Sequence, residues 1–182
     1  MSAPSPGRPS VDISLVDARA FADLVDTAAD VYGAAMNRAP DLVGQRRDIM
    51  ADHVERQGFV AAVAMDGDRL IGFGYGYQGR PGEWWHDVVS AALGRERSRE
   101  WLSDAFDLAE LHVHPAHQGN GVGRELLDLV LGAAAGRTVV LSTHDSETVA
   151  RALYRSVGFV DLLRDFTFPG SHEVYAVLGH TR

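Results

Sequence analysis

The chain has 182 residues, of which 46% are apolar and 23% charged, and its net charge is −8. These values are typical of one globular domain and exclude a wholly disordered chain. The lack of cysteine excludes thiol nucleophiles, thiolate metal sites and disulfides. The acidic balance argues against a nucleic-acid partner, since phosphate binding relies on Lys and Arg patches. No apolar run approaches the ~20 residues that cross a bilayer, so we expect a soluble, cytoplasmic protein without a membrane partner.

The first half of the chain predicts a strand followed by two helices. Three prolines lie within residues 1–10, where we expect a flexible arm ahead of one domain over residues 11–182. Alternating apolar residues at 11, 13 and 15 indicate a short strand. Asp17 can cap a helix that runs to about Tyr32. A second helix is expected from about Gln45 to Arg56, after a loop that contains Pro40 and Gly44.

The middle of the chain predicts a β-hairpin and then an insertion. Two β-rich runs, residues 59–65 and 70–77, are joined by an Asp-Gly turn, which is typical of an antiparallel hairpin. Gly72, Gly74 and Gly76 share one face of the second strand and leave room for a close approach. Residues 79–103 carry three tryptophans and predict one or two inserted helices.

The second half alternates strands and helices more regularly. We expect strands at residues 106–113, 138–141, 159–168 and 173–178, and helices at 121–135 and 146–157, with Ser146 as the N-cap of the latter. The resulting order of elements predicts an α/β fold with a mixed sheet.

The most informative segment is the loop Gln118-Gly119-Asn120-Gly121-Val122-Gly123-Arg124, which joins a strand to an amphipathic helix. Its glycines permit positive φ and remove Cβ atoms that would block a ligand. The unpaired N–H groups of the first helical turn and the helix dipole then form an anion site suited to phosphate. The loop lacks the Lys of a P-loop and the spacing of a dinucleotide fingerprint. A loop that only turns the chain would gain nothing from three alternating glycines.

This loop resembles motif A of the GNAT superfamily, the acyl-CoA-dependent N-acetyltransferases, whose pattern is Arg/Gln-x-x-Gly-x-Gly/Ala. Gln118, Gly121 and Gly123 match that pattern. The segment from Ala150 to Phe159 is similar to the family's Ala-x-x-Leu-Tyr-x-x-x-Gly-Phe signature. The resemblance implies a mixed, mostly antiparallel sheet flanked by helices, with an acyl-CoA site where two central strands splay apart.

The resemblance also implies acetyl-CoA as co-substrate, with no metal. Its pyrophosphate would lie on the N–H groups of the glycine loop, and its pantetheine arm along the preceding strand, with residues 138–143 as the other wall. The family often has Asn where this chain has Glu147, so we assign Glu147 no contact. The implied cofactor-binding residues are Leu111, His112, Val113, Gln118, Gly119, Asn120, Gly121, Val122, Gly123 and Arg124.

Two residues are expected to be catalytic. Family members often place a Glu at the position of Glu110, where it can act as the general base toward the amine. His112 lies on the same strand face and is the alternative base. The resemblance implies that Tyr154 directs its hydroxyl at the sulfur of coenzyme A and protonates the thiolate. By the logic of an oxyanion hole, an N–H near Val113 is expected to donate to the thioester carbonyl oxygen. The spacing of His112, His114 and His117 does not favour a metal site.

The acceptor pocket is less well defined by the sequence. By resemblance it would be lined by residues around Tyr32, Met36, Arg38, Tyr75, Tyr77, Trp84 and Trp85. The aromatic residues could form a wall for an amine, or Trp84, Trp85 and Trp101 could anchor the inserted helices to the core. Arg46 and Arg47 are expected on a solvated helix face.

The sequence therefore predicts an N-acetyltransferase that moves an acetyl group directly from acetyl-CoA to a primary amine of a small molecule or peptide. A non-catalytic acyl-CoA-binding or sensing module and a protein N-acetyltransferase remain as alternatives. Family members often form homodimers, although the sequence contains no dimer motif.

Overall fold

A computed structural model of the chain describes residues 11–182, so the arm expected over residues 1–10 lies outside the described residues. The strands of the described part are β1 Asp12–Val16, β2 Val60–Asp66, β3 Arg69–Gln78, β4 Ala105–Val113, β5 Thr138–His144, β6 Val160–Phe166 and β7 Tyr175–Thr181. Its α-helices are α1 Ala18–Ala22, α2 Val25–Met36, α3 Pro40–Val54, α4 Trp84–Leu93, α5 Arg95–Leu102, α6 Val122–Ala133 and α7 Val149–Ser156. None of these helices is long and apolar enough to span a membrane.

The strands form one sheet in the order β1-β2-β3-β4-β5-β7-β6. Every neighbouring pair in this sheet is antiparallel except β4 and β5, which are parallel. The expected mixed, mostly antiparallel sheet is thus confirmed. The predicted hairpin is also confirmed, because β2 and β3 meet at a tight turn in which Gly67 has a φ of +59°.

Helices cover both faces of the sheet. On one face, Val122, Leu126 and Val130 of α6 pack over the first four strands. On the other face, α1, α2 and α3 pack against β2 and β3, and α4 and α5 pack against the C-terminal strands. The two groups of helices on this second face lie on either side of the boundary between β4 and β5, so the fold leaves a cleft there.

The predicted helix from Asp17 to Tyr32 is instead two helices. Asp17 does cap the first, since its Oδ1 accepts from the N–H of Ala20 at 2.8 Å. Helix α1 ends at Ala22, and the N–H of Leu24 bonds back to Phe21 O in a tighter turn before α2 begins. The break turns α2 so that its Ala28, Val31 and Tyr32 all become buried.

Two other helix starts also differ from the prediction. Helix α3 begins at Pro40 rather than near Gln45, because a proline in the first turn gives up an N–H that would be unpaired anyway. The N-cap of α7 is Thr148 rather than Ser146, and its hydroxyl accepts from Arg151 N at 3.1 Å. Several Ser, Thr and Asp residues near a helix start compete for this role, and the path of the chain selects one.

The glycine face of β3 is filled by the protein itself. A Cβ at Gly72 would lie 3.2 Å from Leu126 Cδ1 of α6, and one at Gly74 would lie 2.8 Å from Leu111 Cδ1 of β4. The space beside these glycines is therefore occupied by side chains of α6 and of the neighbouring strand. The glycines allow close packing of the core and do not make room for a ligand.

Candidate active site

The central feature of the cleft is a gap between β4 and β5. These parallel strands pair only at Ala105–Asp107 with Thr138–Val140, although β4 continues to Val113 and β5 to His144. Strand β4 pairs with β3 from Phe106 to Val113, with one bulge at Ala109, and β5 pairs with β7 along its whole length. The sheet thus remains continuous at one end and opens at the other, as expected for splayed central strands.

Backbone amides of β4 face this gap. The N–H of His114 donates to Ile71 O of β3 at 2.8 Å. Because successive amides of a strand alternate in direction, the N–H groups of Leu111 and Val113 point away from β3 and toward the gap. The Val113 carbonyl also lies on the gap side, where it accepts from Gln118 Nε2 at 2.9 Å. The last part of β4 therefore offers an unpaired strand edge with donors.

The glycine loop lies directly beyond this edge. Gly119 and Gly121 have φ values of +76° and +87°, and nothing lies within 4 Å of a Cβ placed at either position. Gly121 is the N-cap of α6, and its carbonyl accepts from Arg124 N and Glu125 N. The preceding N–H groups of the first helical turn have no partner within the helix. The loop is thus an open cradle of amide donors at the positive end of a helix.

Glu110 lies on β4 opposite Tyr75, and only 4% of its side chain is exposed. Both carboxylate oxygens are occupied: Oε2 lies 2.5 Å from His112 Nε2, and Oε1 lies 3.1 Å from Arg46 Nη1. Burial alone would raise the pKa of Glu110, but the hydrogen bond and charge of His112 and the charge of Arg46 outweigh burial and lower it. The carboxylate is therefore held in its ionised form.

The expectation that Arg46 belongs to a solvated helix face is wrong. Its guanidinium bonds to buried Glu110 and lies over the ring of Tyr32, 5.2 Å from the centroid. A signal was present in the sequence, since Arg46 is four and eight residues ahead of Met50 and Val54, which are both buried. Arg47 lies on the other side of the helix, where it is half-exposed and pairs with Asp26, as expected.

Tyr154 approaches the gap from the α7 side. It is buried in the core that also contains Val113 and Leu141, one from each splayed strand. Burial and the nearby charge of Glu110 raise the pKa of its hydroxyl well above the usual value. The two residues expected to be catalytic are therefore brought within electrostatic reach of each other across the gap.

Helix α7 is held in place by a buried ion network. Arg151 is fully buried, and its guanidinium bonds to Asp145 Oδ1 at 2.9 Å and to Asp161 at 2.7 and 2.8 Å. Asp145 follows the end of β5, and Asp161 lies on β6. The network thus ties α7, and with it Tyr154, to the strands on either side. Glu147 instead pairs with Arg155 at the surface, and no cofactor contact is assigned to it.

The prediction that Tyr75 and Tyr77 line the acceptor pocket is wrong. Tyr75 and Tyr77 are buried, and their hydroxyls lie 3.0 and 3.4 Å from the two ring nitrogens of His53. Burial, followed by the charge of Arg56, lowers the pKa of His53 to about 4, so the imidazole is a neutral link between the two phenols. These tyrosines pack the core beneath α3 and do not line the cleft.

Other expected acceptor residues contact elements on both sides of the gap. Arg38, just beyond α2, pairs with Glu173 of the β6–β7 connection at 3.5 Å and so bridges the two sides. Trp85 Nε1 donates to Ser142 Oγ of β5 at 3.1 Å, in the part of that strand that does not pair with β4. Trp84 is largely exposed beside Phe168. Tyr32 packs against the ring of His112 on β4, whereas Met36 packs against the core under α2 and α3. The acceptor role of these residues stays a prediction.

Trp101 has the anchoring role that the sequence left open. A Cβ at Gly179 of β7 would lie 2.6 Å from its ring, and the Trp101 carbonyl accepts from Thr138 Oγ1 at 2.7 Å. The inserted helices are thus fastened to the sheet by Trp101, and Trp85 packs against the same core, whereas Trp84 is largely exposed beside Phe168.

Asp107 is the last residue of β4 that pairs with β5, and it is buried. Its Oδ1 has no hydrogen-bond partner within residues 11–182. Burial and the charge of Glu83 raise the pKa of Asp107 to about 8, although the charge of Arg56 opposes this shift. The native protein therefore holds a proton on Asp107 that the unfolded chain would release near pH ~4.

We expect Asp107→Asn to remove a loss of stability that the wild type suffers at alkaline pH. Because the pKa of Asp107 is raised on folding, the native state loses stability as the pH rises from about 4 to about 8. The neutral amide avoids this, so the variant should exceed the wild type by at least about 2 kcal/mol at pH ~8.5 and by much less at pH ~4.5. Urea unfolding at both pH values measures the difference. Asp30→Asn, at an exposed position, is the control and should show no such change.

A metal role for the histidines gains no support within residues 11–182, where no group of three His, Asp or Glu side chains could hold an ion. His112 faces Glu110, whereas His114 Nδ1 accepts from Ala116 N. The expectation of no metal stays a prediction.

Comparison with known proteins gives the family. Residues 23–159 match the model of the acetyltransferase (GNAT) family. The chain belongs to the GNAT acetyltransferases. It is 30% identical to a GCN5-like protein acetyltransferase of Mycobacterium tuberculosis over 85% of this chain and 89% of that protein.

Solved structures of other GNAT proteins share the fold. An acetyltransferase of Salmonella typhimurium, solved with its cofactor acetyl-CoA, has a TM-score of 0.64 and 15% identity, and the match covers 94% of this chain and 93% of that one. The ribosomal-protein-S18-alanine N-acetyltransferase of Escherichia coli has a TM-score of 0.65 and 16% identity, with 94% of both chains covered. At these identities the likeness shows the fold, and the chemistry must be argued from this chain's own residues.

Proposed function

We propose that this GNAT protein transfers an acetyl group from acetyl-CoA directly to a primary amine of a small molecule or peptide. One observation carries the proposal: the unpaired edge of β4, the cradle of amides at Gly119–Gly123 and the pair Glu110 and Tyr154 all converge on one gap in the sheet. A binding module needs only the cradle and the strand edge. The buried carboxylate and phenol beside the gap have a use in acyl transfer.

The chain's residues fit acetyl-CoA. The amides of residues 119–123 and the N-terminus of α6 suit a diphosphate, and positive φ at Gly119 and Gly121 keeps side chains out of the cradle. The amides of Leu111 and Val113 suit the carbonyls of an extended arm, as an added strand would. Leu111, His112, Val113 and the loop from Gln118 to Arg124 are thus the proposed binding residues, and the bound group supplies an activated acetyl thioester.

Glu110 provides the negative charge on the acceptor side of the gap. An alkylamine has a pKa of about 10 and arrives mostly protonated, so the site must both attract an ammonium and remove a proton. The ionised carboxylate, with its partner His112, can do both at the end of β4. The amide of Val113 is placed to stabilise negative charge on the thioester oxygen.

Tyr154 stabilises the departing sulfur by donating a hydrogen bond. Its pKa is raised by burial and by Glu110, so the hydroxyl stays protonated and remains a donor. An ordinary thiol has a pKa of about 8.5, so complete proton transfer from this phenol to a thiolate would be uphill. The role proposed from the structure is therefore hydrogen bonding to the thiolate rather than the complete protonation expected from the sequence.

Release of free thiol from acetyl-CoA tests the proposal. The chain contains no cysteine, so a thiol reagent reports only coenzyme A. The panel should include α-amino acids, polyamines, aminoglycosides and peptides with free amino groups. We expect amine-dependent release with at least one class. Tight binding of acetyl-CoA without release by any amine would instead support the non-catalytic binding or sensing module.

We expect Tyr154→Phe to lower kcat by about 10- to 100-fold and to leave the Kd of acetyl-CoA unchanged. The phenyl ring keeps the packing against Phe159, 5.6 Å between ring centroids, but it cannot donate to the sulfur. Steady-state kinetics and calorimetry measure the two quantities. Tyr175→Phe removes a hydroxyl bonded to Glu173 and serves as a comparison for general effects of losing a phenol. Equal kcat in wild type and Tyr154→Phe would remove Tyr154 from the mechanism.

A protein acceptor is the second candidate function. The relative that matches 85% of this chain is a protein acetyltransferase by name. The cleft also has an exposed aromatic residue, Trp84, on its rim, where a polypeptide could pack. Comparison of kcat/KM for lysine-containing and N-terminal peptides with that for free amines decides between the two. Three further expectations stay predictions: that the protein is cytoplasmic, that it has no nucleic-acid partner, and that it can form a homodimer.

A further inference from the structure

We infer that His112, rather than Glu110, takes the proton from the acceptor amine, and that Glu110 and Arg46 orient its ring. The inference rests on the proposed function and assigns its proton transfer to one atom, Nδ1 of His112. Glu110 becomes a positioning residue, because both of its oxygens are already bound within the protein.

Glu110 is fully engaged by its protein partners. Its side chain is 4% exposed, with Arg46 on Oε1 and His112 on Oε2. A carboxylate enclosed in this way has no oxygen left for an amine. The hydrogen bond from His112 and the charge of Arg46 also lower the affinity of Glu110 for a proton, which makes it a weak base. The group that faces the gap must therefore be another one.

The ring of His112 carries a hydrogen on Nε2. An ionised carboxylate can only accept hydrogen bonds, so the 2.5 Å contact with Glu110 requires a donor at Nε2. In a neutral imidazole with its hydrogen on Nε2, Nδ1 holds a lone pair. The carboxylate thus selects the tautomer in which Nδ1 can accept a proton, and it stabilises the imidazolium that forms.

The ring of His112 is also held in a fixed position. Tyr32 packs edge-on against it with 5.2 Å between centroids, and Phe73 packs on it at 5.6 Å. Some 13% of the His112 side chain remains exposed, compared with 4% for Glu110. The charged and titratable groups that face this pair come from four packed elements: Tyr32 of α2, Arg46 and His53 of α3, Tyr75 and Tyr77 of β3, and Tyr154 of α7. Arg46 adds a positive charge, and Glu110 itself balances it.

The transfer involves two protons of the ammonium. The ammonium first gives one proton to water. The nitrogen of the neutral amine then forms a bond to the acetyl carbon, and one of its remaining protons moves to Nδ1 of His112. The carbon–sulfur bond breaks, and its electron pair stays on the sulfur, which Tyr154 stabilises by a hydrogen bond. The imidazolium then returns its proton to water, and the thiolate takes one from water, so no further reactant is needed.

His112→Gln separates the two roles of the ring. A glutamine amide can still donate to Glu110 from the place of Nε2, but it has no basic nitrogen. We expect kcat to fall by about 100-fold or more. The ratio of wild-type to variant kcat/KM should shrink at acid pH, because an imidazolium has no lone pair with which to accept the proton of the amine. The amine's own ionisation cancels in this ratio. His172→Gln, an exposed change, is the control.

Two results would overturn the inference alone. One is a His112→Gln enzyme with the wild-type rate, or a ratio that does not vary with pH, while the wild type still releases thiol. The other is read without any acceptor, from 15N spectra of the histidine-labelled protein assigned with the variant. A hydrogen on Nδ1 of His112 contradicts the inference, and one on Nε2 supports it. Failure of the proposed function would appear differently, as no thiol release by the wild type.

Discussion

Replacing Gly123 by Glu should weaken acetyl-CoA binding at least about 100-fold while leaving the fold intact. Gly123 lies in the first turn of α6, where the proposed diphosphate would meet the amides. A Cβ at this position would be 3.6 Å from Val113 Cγ2 and 3.8 Å from Leu153 Cδ2, which are ordinary contacts. An acidic side chain in the first turn of a helix interacts favourably with the helix dipole, and replacement of a glycine raises helix propensity. Both effects stabilise the folded protein. The same carboxylate repels a second anion.

The same helix provides a control that separates binding from stability. Gly132→Glu adds the same charge near the other end of α6, where nothing lies within 4 Å of a Cβ. Gly123→Ala adds a methyl group without charge and should change the affinity only slightly. Calorimetry with acetyl-CoA measures the Kd, and thermal unfolding confirms the fold. Equal affinities for Gly123→Glu and Gly132→Glu would mean that the α6 N-terminus does not bind the diphosphate.

Arg151→Met should lower the free energy of unfolding by about 3 kcal/mol, the largest stability change that we expect from a single substitution. Removal of one partner from a buried ion pair leaves the other charge uncompensated. Arg151 is fully buried between Asp145 and Asp161, and methionine of similar length cannot replace its hydrogen bonds. Arg164 also bonds to Asp145, which keeps the expected loss at the lower end of the usual range.

The matched control is Arg155→Met on the same helix. Arg155 is 40% exposed and pairs with Glu147, which is 77% exposed, so its removal should cost less than about 1 kcal/mol. Urea unfolding of both variants compares a buried with a surface pair. Because the Arg151 network positions α7, the Arg151→Met enzyme should also have a lower kcat. A stability equal to that of Arg155→Met would show that this network does not hold the helix.

The glycine loop is recognisable from the amino-acid sequence alone. Gln118, Gly121 and Gly123 are close neighbours in the chain, and both the positive φ of Gly121 and the place of the loop ahead of a helix follow from local rules. Tyr154 could be placed in the same way, since its motif spans ten residues. The hairpin, the Asp17 cap and the positions of the strands along the chain were also predicted correctly for this reason.

The environment of Glu110 was not predictable in the same way. Its partners are His112, two residues away, and Arg46, which comes 64 positions earlier on another helix. The spacing of residues 46, 50 and 54 shows that Arg46 lies on the same helix face as two buried residues. It does not show which strand or side chain that face packs against. The burial of Tyr75 and Tyr77 against His53 was missed for the same reason, because aromatic residues suit both a core and a binding wall.

The sequence alone thus determined the properties that depend on residues close together in the chain. These are the family motifs, the glycine loop proposed to bind the diphosphate, and the type of most helices and strands. The early separation of β4 from β5, the turn at Leu24 that aims α2, and the charge balance around Glu110 and Asp107 depended on the folded arrangement. Each of these arises from contacts between distant segments that compete for the same buried space. Burial then changes the proton affinity of the groups involved, and no local pattern encodes that change.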